Sequence, residues 1–198
     1  MARASAEDAA ATARRILEVA TAHFSEHGFA AASAEDIARA AGVTRGALYH
    51  HYGSKPGLFA AVVSAQQRTV ADAIAKATKG LDAAPALRAG SHAFLDAITQ
   101  GAAVRVLLVD GPSVLSWEQW RRSDADGPER ELRAGLADIG IAPALQDAVA
   151  ASLSGAMNEL ALWVSQHPQD ATARIRAHAA LDLLLESIVR VQASSGYK

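Results

Sequence analysis

Thr44-Arg45-Gly46-Ala47-Leu48-Tyr49-His50-His51-Tyr52 is the stretch of this chain whose side chains best suit contact with a polyanion. Arg45 can donate two hydrogen bonds to O6 and N7 of a guanine, a pairing that separates right from wrong base by about 1–3 kcal/mol. Gly46 and Ala47 are small, so the backbone beside Arg45 can approach a groove closely. Tyr49, His50 and His51 offer ring packing on thymine methyl groups or hydrogen bonds to phosphate, and Lys55 adds a phosphate contact beside nearby backbone N–H groups. This is recognition chemistry and forms no set of reacting groups. A second set lies downstream. His92, Phe94, Trp117, Trp120, Asn158, Trp163 and His178 interrupt otherwise apolar helices, the mixture of apolar walls and a few orienting polar groups found in ligand pockets. The same residues also suit an ordinary helical core, so pocket and core both stay open for each of them.

The elements that must hold the first set are legible around it. Ile16, Leu17, Ala20 and Phe24 recur at helical spacing, which predicts a helix from about Ala9 to His27 that Gly28 stops. Ser33 fits an N-cap, with Asp36 three residues on near a capping-box position. A short helix follows with Ile37, Ala38 and Ala41. Gly42 supplies the turn, where a positive φ costs little only for glycine. Thr44 caps the next helix. Ala38 must be small because the two helices cross closely there, and Leu48, with Ile37 and Val43, wedges the angle between them. The product is a helix-turn-helix over Ser33–Tyr52 whose second helix is free to enter a major groove.

Ser54 and Pro56 open a long fourth helix to about Lys79. Five more helical segments are expected at about Pro85–Thr99, Ala102–Val109, Ser116–Ile139, Pro143–His167 and Ala171–Ala193. Asp110-Gly111-Pro112 and the segment Asp124 to Pro128 read as breaks. Period-2 segments are almost missing, so the expected fold is all-α: an N-terminal three-helix head with the helix-turn-helix, residues 1–54, and a C-terminal helical-bundle body for ligand binding and dimerisation, residues 55–198.

Composition narrows the function classes. The net charge of −2 over 198 residues leaves no basic coat, so DNA binding must come from a local patch. The absence of cysteine removes disulfides, thiolate metal sites and a cysteine nucleophile, and fits a reducing compartment. No apolar run reaches the roughly 18 residues of a membrane span, and Met1–Thr12 has no apolar signal core, so a cytoplasmic protein without a membrane partner is expected. No zinc-helix motif, phosphate loop or nucleophile elbow is present. Neither catalysis, a cofactor nor a metal site is therefore expected; His50 and His51 are adjacent and diverge on a helix.

At these residues the chain resembles the TetR family of bacterial regulators. The stretch from Asp36 to Phe59 matches that family's head almost position by position, as does the preceding helix with Phe24 and Gly28-Phe29. The segments Arg105–Pro112 and Asn158–Trp163 resemble body segments of one subgroup. The resemblance implies homodimers built mainly on the last two helices, a ligand pocket in the body, and repression relieved by a small-molecule effector. Carried over by position, it implies that Ser33, Thr44, Arg45, Gly46, Tyr49, His50 and Lys55 touch a double-stranded DNA operator. Tyr52 departs from the phenylalanine usual there and adds a hydroxyl.

A homodimer also follows from groove geometry, since two heads must sit one helical turn of DNA or a multiple apart on a palindromic site. The last helices carry broad apolar faces for it: Leu181, Leu184, Leu185, Ile188 and Val189 on one, Val149, Leu153, Ala156, Met157 and Leu160 on the other. Packing within the subunit claims part of both. The competing reading is a helical ligand-binding or interaction protein without sequence-specific DNA binding, against which intact Arg45 and Lys55 speak.

Overall fold

The computed structural model describes residues 2–116 and 128–195, and every element among them is helical. The head comprises α1 (Ala2–Ala31), α2 (Ala34–Ala40) and α3 (Arg45–Tyr52). Next come α4 (Lys55–Thr78), α5 (Ala83–Ile98), a π-helix (Val104–Asp110) and α6 (Gly111–Val114). The chain finishes with α7 (Pro128–Asp138), α8 (Pro143–Gln166) and α9 (Ala173–Ser195). The all-α expectation holds.

The head packs as its apolar spacing demands. Ile16, Ala20 and Phe24 of α1, Ile37 and Ala38 of α2 and Leu48 of α3 are buried in one cluster. Three aromatic rings join this cluster to the fourth helix. Phe24 and Phe29 each meet Phe59 of α4 at 5.1 Å between ring centroids, in the edge-on arrangement that complementary ring charge favours. Leu58, Val62 and Val63 of α4 complete the junction, so α4 belongs to the core of the head at one end and to the body at the other. In the body, α4 and α5 pack along their length, α7 and α8 lie against α5, and α9 closes the bundle over α5 and α8.

Two local expectations change. Helical structure does not break at Asp110-Gly111-Pro112: the π-helix runs straight into α6, with Gly111 itself in helical geometry at φ −52° and ψ −57°. Asp36 does not reach back to complete a capping box. Its carboxylate instead accepts a 2.8 Å bond from Arg39, and Ser33 caps α2 alone.

Candidate functional site

The helix-turn-helix is fixed by caps at every turn. The Ser33 hydroxyl accepts from the N–H groups of Glu35 and Asp36, the Thr44 hydroxyl from Ala47, and the Ser54 hydroxyl from Gly57. Each satisfies donors that a helix start leaves without partners. Gly42 sits at φ +65°, as the turn requires. Leu48 is fully buried, and this presents the opposite side of α3 to solvent.

That outer side carries the residues read from the sequence. Thr44, Arg45, Gly46 and His50 are exposed, while Ser33, Tyr49 and Lys55 are half-buried. Arg45 lies over the Tyr49 ring, its guanidinium carbon 5.2 Å from the centroid, so the ring props the cation at the edge of the face. Arg45 has no carboxylate partner among the described residues, whereas Arg39 is neutralised by Asp36 and Glu35. Lys55 folds back onto the head: its Nζ donates to the Ala30 carbonyl at 3.3 Å and sits 4.6 Å from the centroid of Phe29. Tyr52 uses the hydroxyl that phenylalanine would lack. It donates to the Ala13 carbonyl of α1 at 2.7 Å, and burial pushes the phenol's pKa up.

A second body–head connection was not apparent from residue patterns. Asp110, at the end of the π-helix, accepts the Phe29 backbone N–H at 2.9 Å. Arg105, one π-turn earlier, donates to the Glu26 carbonyl at 3.2 Å. Both grip α1 at Gly28, whose φ of 76° and ψ of 167° lie in a region open in practice to glycine alone. A Cβ at Gly28 would also stand 2.6 Å from the Arg105 guanidinium. The spacing Arg105–Asp110 fits no ordinary helical face, which is why the pair escapes a 3.6-residue reading. π-Helical turns are frequent at functional sites.

The body has a partly open cavity of about 230 Å³ between α4, α5, α7 and α8, walled by Ile74, Leu87, Ser91, Phe94, Leu132 and Met157 among others. Ser91 is among its lining residues, and its hydroxyl is buried without a hydrogen-bond partner among the described residues. Phe94 also borders a second, smaller cavity, which Asn158 lines. Of the residues singled out for a pocket, Phe94 and Asn158 therefore sit on cavities. Trp163 stacks beside His167 and Arg176 at the far end of α8, apart from both cavities. Trp117 and Trp120 lie outside the described residues. His92 and His178 turn away from the cavity toward each other, with Nδ1 atoms 2.6 Å apart.

Two family models match stretches of this sequence. "Tetracyclin repressor-like, C-terminal domain" covers residues 84–188, and "Bacterial regulatory proteins, tetR family" covers residues 16–62. Among curated proteins, the HTH-type transcriptional regulator AcrR of Shigella flexneri is 45% identical over 62 residues, 31% of this chain and 29% of the relative. The probable acrEF/envCD operon repressor of Escherichia coli K12 is 42% identical over 59 residues, 30% and 27% of the two chains. The chain thus matches under a third of these relatives' length. A solved TetR-family regulator from Pectobacterium atrosepticum aligns over 92% of this chain and 96% of its own, at 28% identity and a TM-score of 0.71. FadR of Bacillus subtilis, solved with stearoyl-CoA, aligns over 87% and 97% with a TM-score of 0.72, but at 14% identity it shows the fold alone. These relatives are transcriptional regulators and not enzymes. With its body matched over more than half of the chain and its head matched over the helix-turn-helix, this chain belongs to the TetR family of DNA-binding transcriptional regulators.

Proposed function

We propose that this regulator is a repressor that binds a palindromic operator as a homodimer and leaves it when a small molecule enters the body. Residues 1–54 form the DNA-binding unit and residues 55–198 the ligand-binding and dimerisation unit, and the protein acts in the cytoplasm. The observation that carries the reading is the outer face of α3, where Arg45 is exposed, propped by Tyr49 and unclaimed by any carboxylate among the described residues. Arg45 reads a base edge. Ser33, Thr44, Gly46, Tyr49, His50 and Lys55 set the distance to the backbone, with Lys55 exchanging the Ala30 carbonyl for a phosphate.

Dimerisation is supported by apolar surface on the last two helices. Ile175, Leu183 and Leu184 of α9 and Leu145 of α8 are exposed, at 68%, 68%, 42% and 57%. Leu181 and Leu185 point into the subunit and leave these exposed side chains for a twin. Ligand response is supported by the cavity and by the reach of α4. Ile74 at its far end walls the cavity, and Lys55 opens it at the head. A ligand that prefers one packing of the cavity shifts this rod, and coupling of about 1–3 kcal/mol weakens DNA binding several-fold to about a hundredfold.

The test is a gel shift on DNA flanking the protein's own gene, against random DNA, at two salt concentrations. The wild type should shift the flanking DNA selectively. Arg45→Ala should lose that preference while retaining weak, salt-sensitive binding. Absence of a selective shift overturns the reading, and equal losses on both DNAs for Arg45→Ala overturn the role given to Arg45.

A further inference from the structure

On the far side of α5 from the cavity, two antiparallel helices present the same pattern to each other. Arg88, His92 and Asp96 follow at four-residue intervals on α5, as do Arg174, His178 and Asp182 on α9. Opposing members pair. Arg88 meets Asp182 at 2.9 Å and Arg174 meets Asp96 at 2.6 Å. His92 Nε2 lies 2.7 Å from Asp182, and His178 Nε2 lies 2.9 Å from Asp96. The two Nδ1 atoms face each other at 2.6 Å. The ring centroids are 4.8 Å apart with 25° between planes. Taken with the short Nδ1–Nδ1 distance, this puts the rings edge to edge and nearly coplanar, with the nitrogens aimed at one another.

Counting protons leaves one state that satisfies every contact. Burial pushes the Asp96 and Asp182 carboxyls up, but hydrogen bonds from Arg174 and His178, and from His92 and Arg88, outweigh it and hold both below the usual carboxylate range. Both carboxylates are therefore acceptors, and each imidazole must present Nε2–H to its aspartate. If both rings are neutral, two Nδ1 lone pairs collide. If one ring moves its proton to Nδ1 and stays neutral, its bare Nε2 faces a carboxylate. If both rings are cations, two N–H groups collide. One extra proton, donated by one Nδ1 and accepted by the other, resolves all three imidazole contacts. A zinc ion would stand about 2.0–2.1 Å from each nitrogen in a tetrahedral site, which needs nitrogens well over 3 Å apart. Among the described residues, moreover, no group of three or more His, Cys, Asp or Glu is placed to hold a metal.

We propose that His92 and His178 bind a single shared proton, which fastens α9 to α5. The elements packed around them supply no competing partner among the described residues. On α4, Arg68, Asp72 and Lys76 are exposed; on α8, Glu159 is exposed and Asp147 pairs with Arg133 of α7. Also on α7, Glu129 pairs with Arg133 and Glu131 with Arg130, while Asp138 is exposed. The fastening joins the cavity wall, where Ser91 adjoins His92, to the helix carrying Leu183 and Leu184. Its bearing on DNA rests on the proposed ligand-responsive repressor; the shared proton does not.

The pair holds one proton where two unfolded imidazoles hold from none to two as the pH falls. Stability therefore peaks near the free imidazole pKa of about 6.5. Above that, the folded pair keeps a proton the unfolded chain has lost, and stability falls as pH rises. Below it, the unfolded chain gains a second proton the pair refuses, and stability falls as pH drops. The experiment is chemical denaturation of the full chain at fixed concentration from pH 5 to 8.5, wild type against the double variant H92Q/H178Q. The ratio of their folding constants should trace a bell centred near that pKa, falling by up to tenfold per pH unit on either flank. A flat or single-sided ratio overturns the proposal.

Nitrogen-15 spectra of histidine side chains in the wild type give an answer that needs no folded variant. One Nδ1 proton shared between two rings, with both Nε2 protonated, supports the proposal, and two neutral rings at pH 6.5 overturn it. Stoichiometric Zn²⁺ binding to EDTA-treated protein that the double variant loses also overturns it, in favour of a metal site. A clear bell in a protein without selective DNA binding leaves the shared proton standing and sinks the repressor reading.

Discussion

Replacing Asp110 by alanine tests whether the body holds the head at α1. The Asp110 carboxylate is 18% exposed and accepts the Phe29 N–H at 2.9 Å. A hydrogen bond to a charged group contributes about 1.5–3 kcal/mol, and partial solvent access at Phe29 lowers this to the bottom of that range or just under it, about 1–2 kcal/mol. The ion pair with Arg105 adds little, because it is 3.8 Å long and Arg105 is 45% exposed. If the Phe29 amide exchanges by local opening, its protection in Asp110→Ala should fall about five- to thirtyfold, since 1.4 kcal/mol is a factor of ten. Amides deep in the body, such as that of Leu153, should keep theirs. Asp110→Asn, which retains an oxygen acceptor without the charge, should fall between. Native-state hydrogen exchange read residue by residue decides the matter. Unchanged protection at Phe29 refutes the connection; equal loss at Phe29 and Leu153 shows a global loss of stability instead.

Three further substitutions probe other parts of the argument. Gly28→Ala should cost about 1–3 kcal/mol, or several degrees in Tm, because the cost lies in the backbone; Arg105→Ala in the same chain should not restore it in thermal melts, and full rescue would show that side-chain crowding was the cause. Tyr52→Phe should lose about 0.5–1.5 kcal/mol in denaturant titration by removing the bond to the Ala13 carbonyl, with base selectivity unchanged in gel shifts; no loss refutes that anchor. Ser91→Ala should stabilise the free protein by about 1 kcal/mol in the same titration, because a buried hydroxyl without a partner is removed; a loss of stability would show that the hydroxyl is satisfied.

The head was legible because its constraints are local. Ser33, Gly42, Thr44 and Leu48 each act within a few residues of chain, so spacing alone predicts the caps, the turn and the wedge that the structure contains. The body was legible in outline only. Helices from Pro143 and from near Ala171 follow from periodicity, but which face goes inside does not. Leu181 and Leu184 look alike in sequence, yet one is fully buried and the other 42% exposed. The Asp110–Phe29 bond joins residues 81 apart, and its donor is a backbone group with no sequence signature. The histidine pair did leave a signature, the repeated Arg-His-Asp at four-residue intervals. It gains meaning only once α5 and α9 are known to be antiparallel neighbours in register.

The head is held by the body at two points, and this bounds how strongly the body can act on it. α4 holds the head through the buried Leu58, Phe59, Val62 and Val63. Arg105 and Asp110, gripping Glu26 and Phe29, add a second hold on α1. A ligand that displaces Ile74 but leaves the π-helix in place must bend the rod against this second hold. One that also shifts the π-helix releases it. The first route is resisted by the Asp110 bond, and the second forfeits its 1–2 kcal/mol, a sum close to the coupling expected between two sites in one protein. If the body responds to a ligand as proposed, weakening this second hold at Asp110 should make the head easier to displace, so that the same ligand weakens DNA binding at a lower concentration while the cavity stays intact.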